Sequence, residues 1–214
     1  MVLQDIAKIN TSIVVLPSGD FELKLEPRDI GGILREPQIE IIPSPVNIAK
    51  LTSMKDQVEI LLSQGRIHIR DHSDIQPGTD RFTRIVADFM EFLAQTSSLN
   101  YRAFGLNYDV SFRLSLDELP AEVIATRFID RAAVRNKSGL EIIGGSIRFF
   151  YRKGEALCFL YLEPLGNKLD ASEFYAHINV HFAIDSSWPS QQELETLFRH
   201  EYDEFIHSVE AILG

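Results

Sequence analysis

Three side chains have the types and spacing for acid–base chemistry: Asp109 in one run of alternating polar and apolar residues, and His177 and His181 in another. An imidazole oriented by a carboxylate is a common general base. If the two runs are neighbouring strands, Asn107, Asp109, His177, Asn179 and His181 share one wet face and could form a hydrolase-like catalytic cluster. Polar residues opposite an apolar face are also what any half-buried sheet shows, so the reading leans away from an enzyme. His177 and His181 lie roughly 13 Å apart at the rise of about 3.3 Å per strand residue, too far to ligate one zinc unaided. Glu204 and His207 have the Glu-x-x-His spacing of carboxylate-bridged metal sites, but such sites draw further ligands from a four-helix bundle. No metal and no cofactor is expected. There is no Gly-x-Ser-x-Gly elbow, and Gly144-Gly145-Ser146 reads as a bulge within a strand. Neither of the two common glycine-rich phosphate-binding loops occurs.

Binding residues are easier to find than catalytic ones. Arg127, Arg131 and Arg135 recur every four residues, so one helix through them would carry a guanidinium stripe that is either a solvated face or a docking site. From Arg127 to Lys153 seven cations face two acids, a net +5, whereas from Ser190 to Gly214 one cation faces six acids, a net −5. The whole chain carries −10, which opposes a nucleic-acid partner because such affinity comes from cations neutralising phosphates. An anion or nucleic-acid contact through residues 127–153 stands as an alternative.

The hairpin from Glu141 to Glu163 is apolar on both faces. Ile147, Phe149 and Tyr151 alternate with Arg148, Phe150 and Arg152; the partner strand sets Ala156, Cys158, Leu160 and Leu162 against Leu157, Phe159 and Tyr161. Strands of this kind are expected in the middle of a sheet, covered by helices or by another subunit. The expected binding surface is therefore Arg127, Arg131, Arg135, Arg148, Phe150, Arg152, Phe159 and Tyr161, and the expected partner a second copy of the chain in a homodimer, or another protein.

The elements that must position these residues follow from periodicity. Residues 102–114 and 174–184 alternate with period two, as strands wet on one face do. The first fifty residues are punctuated by five prolines and read as short edge strands joining the main sheet: Ile13 to Leu16, Phe21 to Leu25 across a turn at Pro17-Ser18-Gly19-Asp20, and Gln38 to Ile42. Val58 to Leu62 and Arg66 to Arg70 form another hairpin. Helices are expected from Thr79 to about Ser97, from Asp117 to Ile129 with a period that can extend to about Arg135, and after the capping box Ser190-Gln191-Gln192-Glu193. The reading is a single α+β domain over residues 1–214, with a largely antiparallel twisted sheet and about three amphipathic helices.

The strand Phe104-Gly105-Leu106-Asn107-Tyr108, with its preceding amphipathic helix, and the late alternating strand with its terminal helix resemble a sporadically distributed family of uncharacterised bacterial proteins. Asn107 stands where that family's pattern has Arg, and His177 to His181 replaces an Asp-rich strand end. The resemblance implies an α+β fold and a bacterial cytosolic origin, and no catalytic residue. A cytoplasmic location is also expected from the single cysteine, Cys158, in an apolar run, and from an N-terminus without the basic and apolar regions of a signal peptide. No run approaches the roughly 18 apolar residues of a membrane span.

Overall fold

The computed structural model describes residues 2–18, 27–42, 48–63, 65–96, 100–115, 118–184 and 188–214. In chain order the elements are β1 (Leu3–Pro17), α1 (Pro27–Ile30), β2 (Gln38–Ile42), β3 (Ile48–Ser53), β4 (Val58–Ser63), β5 (Arg66–Asp71), α2 (Asp80–Thr96), β6 (Tyr101–Leu114), α3 (Pro120–Arg127), α4 (Arg131–Ser138), β7 (Ile147–Lys153), β8 (Ala156–Pro164), β9 (Phe174–Ala183) and α5 (Gln191–Leu213). All nine strands join one antiparallel sheet in the order β2-β3-β4-β5-β1-β6-β9-β8-β7.

One face of the sheet is the core. Leu106, Tyr108, Val110 and Phe112 on β6 and Phe174, Ala176, Ile178 and Val180 on β9 are buried beneath Phe82, Phe89 and Leu93 of α2 and Leu194, Phe198, Phe205 and Val209 of α5. Their period-two spacing meets the helical period of the two amphipathic helices, which touch each other across Phe82 and Phe198 at 5.6 Å. Tyr108 is fully buried and its hydroxyl donates to the Phe198 carbonyl at 2.9 Å, so its one polar atom is satisfied. Val123 and Ile124 of α3 join the same core, and α5 opens with the expected capping box at Ser190 and Glu193.

A register shift in β1 decides which of its residues face the core. Lys8 pairs with the inward Val110, but Asn10 pairs with the outward Asp109, so the bulge between them turns Lys8 inward and Asn10, Ser12 and Val14 outward. Lys8 is then buried against Asp71 of β5 at 2.6 Å, and Arg81 of α2 pairs with the other oxygen of Asp71. Ser73 donates to Asp71 and accepts from Arg81, which fastens α2 to the sheet.

Several elements differ from the expected layout. β1 is long and central rather than a short edge strand, because β5 and β6 both pair with it. The turn at residues 17–20 and the strand at 21–25 lie outside the described residues, apart from Pro17 and Ser18. Among the described residues five α-helices occur rather than about three. The added pair are α1 and α4, and α4 exists because the expected helix through Arg135 breaks: Asp130 accepts from the Ala133 amide and caps a new helix. Strand β7 starts at Ile147 rather than near Glu141, since Gly144 packs so closely on α3 that an added Cβ would lie 3.0 Å from Ala121 Cβ and 2.8 Å from Leu169. The hairpin is not central either: β7 is an edge strand, and the helices cover only its Phe149 side.

Candidate functional site

Among the described residues no helix covers the central strands on the second face of the sheet, which is concave. Three rows of side chains cross it. The first runs Arg148, Tyr161, His177, Asp109, Asn10 from β7 to β1; the second runs Phe150, Phe159, Asn179, Asn107, Ser12, Arg70 from β7 to β5; the third runs Leu157, His181, Gly105, Val14, His68 from β8 to β5. A cavity of about 680 Å³ opens on this face, lined from Arg66, His68 and Arg70 on β5 to Arg148 on β7. Strands five neighbours apart stand roughly 24 Å apart in a flat sheet, so one cavity reaching both requires the face to curl inward.

Asp109 is at the centre of the floor. Its Oδ1 accepts from His177 Nδ1 at 2.8 Å and from the Tyr175 hydroxyl, and its Oδ2 accepts from Asn10 Nδ2 at 3.0 Å. Burial pushes the Asp109 carboxyl up, but the His177 and Tyr175 hydrogen bonds, the His177 charge and Asn10 together hold it below the usual carboxylate range. Tyr175 is driven the opposite way, well above the ordinary phenol range, by burial and by the bond to Asp109. The pair Asp109–His177 thus has the orientation of a carboxylate-held general base, with Nε2 as the remaining polar atom of the ring. Among the described residues no hydroxyl or thiol is hydrogen-bonded to that nitrogen, so the nucleophile of a triad is not built beside it.

The β5 wall is cationic. His68 Nε2 stands 3.0 Å from Ser12 Oγ and accepts from Arg70 Nε at 3.4 Å, so its lone pair is engaged and protonation there would break the arrangement. Burial, with Arg70 and Arg66 beside it, lowers the His68 pKa to about 4 and keeps the ring neutral at pH 7. Arg70 also pairs with Glu59 at 3.0 Å, and Lys50 reaches the same carboxylate at 2.8 Å. The opposite wall is aromatic: Phe159 meets His177 edge-on at 6.3 Å, Phe150 packs on Phe159 at 4.8 Å, and the Arg148 guanidinium lies 5.0 Å over the Tyr161 ring. Two floor atoms, Asn107 Nδ2 and Asn10 Oδ1, are buried without a protein partner among the described residues.

The expected wet-face cluster is partly assembled. Asp109 and His177 are bonded and line the cavity; Asn107 accepts from Asn179 at 2.8 Å; His181 sits one row away, opposite Gly105, and does not line it. Arg148, Phe159 and Tyr161 of the expected binding surface line the cavity, while Phe150 and Arg152 project from the exposed edge beyond it. Arg127, Arg131 and Arg135 do not form a stripe, because Arg127 ends α3 and the other two belong to α4. Arg127 is bound to Glu118 and the Leu213 carbonyl. The opposed charge segments also meet within the chain, where Lys153 pairs with Glu201 and Glu204 of α5. Arg66, His68, Arg70, Asn10, Ser12 and Tyr175 were not singled out by sequence. The signal for the first three was their alternation with Ile67 and Ile69, but only the pairing of β5 with β1 aims them at Asp109.

Cys158 is buried, and burial pushes its thiol up, which suits a core residue. Among the described residues no three His, Cys, Asp or Glu side chains converge as metal ligands, and no helix is long and apolar enough to cross a membrane. In comparisons with known proteins, no family model and no curated protein matches the chain, and its function is therefore read from this face of the sheet alone.

Proposed function

We propose that the protein acts by binding, and that the concave open face of its sheet is a receptor for a small ligand. The observation that carries this reading is the cavity of about 680 Å³, within the usual size of ligand sites, where aromatic side chains and convergent polar groups meet on the face that α2, α3 and α5 leave open. A thermal-shift screen of several hundred small metabolite-like compounds tests it. At least one compound is expected to raise the melting temperature by several degrees, as binding to the native state alone must, and to lose that effect in Phe159→Ala. A screen without a stabilising compound, or with shifts that Phe159→Ala leaves intact, overturns the reading. The Asp109–His177 pair supports a catalytic variant of the same site, which gains ground if His177→Gln keeps ligand affinity and abolishes turnover of the bound compound.

Self-association is a second reading, supported by the edge. Phe150 is 74% exposed between Arg148 and Arg152 on β7, whose outer side has no backbone partner among the described residues, and Leu157 of the adjoining β8 is 46% exposed. A second copy of the chain laid against β7 would cover both. Light scattering at tens of micromolar is expected to show a dimer for the native chain and a monomer for Phe150→Asp; a native monomer defeats this reading.

A further inference from the structure

We propose that the cavity takes a ring-bearing organic acid, a carboxylate or a phosphate monoester, with its acidic group held over His68 between Arg66 and Arg70 and its ring against Phe159 and Tyr161. This rests on reading the cavity as a ligand site and adds which ligand it holds.

The polarity of the cavity selects this class. On the β5 side one carboxylate, Glu59, already serves two cations, Lys50 and Arg70, and Arg66 has no carboxylate partner among the described residues. A neighbouring recess of about 200 Å³ is bordered by the same Arg66, His68 and Arg70, so the stripe is open to ligand atoms from both sides. The carboxylates of the cavity stand elsewhere: Asp109 is saturated by three donors on the floor, and Glu163 accepts from the Tyr161 hydroxyl near the aromatic wall. An acidic group is therefore drawn to β5 and repelled from the carboxylates of β6 and β8, whereas a ring finds aromatic surface at Phe159 and Tyr161 of β8. A duplex would need a far wider basic surface than one stripe on a chain of net charge −10.

The stripe also couples binding to protons. His68 is faced by Arg66 and Arg70 on its own strand, by Glu59 from β4 and by Asp109 from β6, while its β1 neighbours Ser12 and Val14 do not titrate. An anion set over the ring offsets the two guanidiniums and favours a proton on His68, so affinity must rise as pH falls from neutrality.

Calorimetric titration of the full chain with 2-naphthoate, 2-naphthyl phosphate and neutral 2-naphthol tests the proposal. At least one acid is expected to bind one-to-one about tenfold or more tighter than the naphthol, and the preferred acid shows which acidic group the site takes. Arg66→Gln is expected to erase that advantage, its loss falling on the acids far more than on naphthol; since the Arg66 side chain is exposed and has no side-chain partner among the described residues, the fold is kept. A greater loss in Arg148→Gln than in Arg66→Gln overturns the placement. Naphthoate binding is expected to tighten roughly five- to tenfold from pH 7.5 to pH 5, where a carboxylate of pKa about 4 is still ionised; a flat profile also overturns the placement. Equal affinity for all three compounds removes the acid from the proposal and leaves the ligand site standing. If none of the three binds, the proposal falls, and the compound screen judges the site separately.

Discussion

Phe112→Ala is expected to lower stability by about 3–5 kcal/mol, the cost of deleting a buried aromatic ring and leaving a cavity behind it. Phe112 is fully buried and lies directly opposite Phe174 across β6 and β9, the two rings parallel within 4° with centroids 5.2 Å apart. The loss combines transfer of the ring, dispersion contacts with Phe174, and poor relaxation, because a neighbour in a paired strand cannot shift without breaking its ladder. Phe182→Ala removes a ring of the same size stacked on Phe104 at 5.1 Å, but Phe182 is only half-buried, so a smaller loss is expected. His181→Ala, in the third row of the open face, is expected to stay within about 0.5 kcal/mol, as surface changes do. Urea denaturation of the three variants gives the ranking. A Phe112→Ala cost below that of Phe182→Ala would mean that the core does not lie between β6, β9 and α5.

Asp71→Asn is expected to cost about 3–5 kcal/mol, because removing one partner of a buried ion pair strands the other. Side-chain exposure is 1% for Lys8 and 3% for Asp71, and Asp71 is also the carboxylate that holds Arg81 of α2. Without that charge Lys8 retains the Ile75 carbonyl at 2.8 Å, which solvates an ammonium far less well than water does. Burial lowers the Lys8 pKa even in the native protein, although the hydrogen bond and charge of Asp71 oppose it. The unfolded chain therefore binds more protons near Lys8 than the folded one, so its contribution to stability grows as pH rises from the folded pKa towards about 10.4. The Asp71→Asn deficit should shrink as pH rises towards the native Lys8 pKa, because without Asp71 the Lys8 pKa falls further and the folded variant sheds that proton first, and adding Lys8→Met should recover part of the deficit at pH 7. A deficit independent of pH, with no rescue by Lys8→Met, would place the cost in Arg81 and Ser73 instead.

Periodicity made the two long strands legible because each has one wet and one dry face over ten or more residues, and their neighbourhood brought Asp109 to His177. β1 was illegible for a local reason: the shifts at Gln4/Ala7 and Lys8/Asn10 break period two, so Ile6, Lys8 and Asn10 no longer alternate with the core. The hairpin showed the apolar character of both faces of β7 and β8 but not their neighbours, since a face pattern is the same for an edge strand awaiting cover and a central one already covered. Asp130 is one carboxylate in a helical period, and its capping role emerges only once Phe128 has turned towards Phe149. The cavity itself is a tertiary product. Its cationic wall and aromatic wall are separated by about ninety residues of sequence, from Arg66 to Phe159, and no local spacing relates them.

The central place of β1 also bears on the order in which the chain can be built. Among the described strands of this sheet the one made before the rest is the one both halves must grip: Thr11 pairs with Asp71 on one side, Val15 with Phe104 and Leu3 with Leu114 on the other. Until β6 has been synthesised, β1 has at most one neighbour, and its other edge, with Ile13 and Val15 behind it, is an open template for pairing with another chain. Contacts so distant in sequence close slowly, on the millisecond-to-second scale of β-rich topologies. The polar outward row of Asn10 and Ser12 then has a second value before any ligand arrives: it keeps one face of the waiting strand wet while the rest of its sheet is still being made.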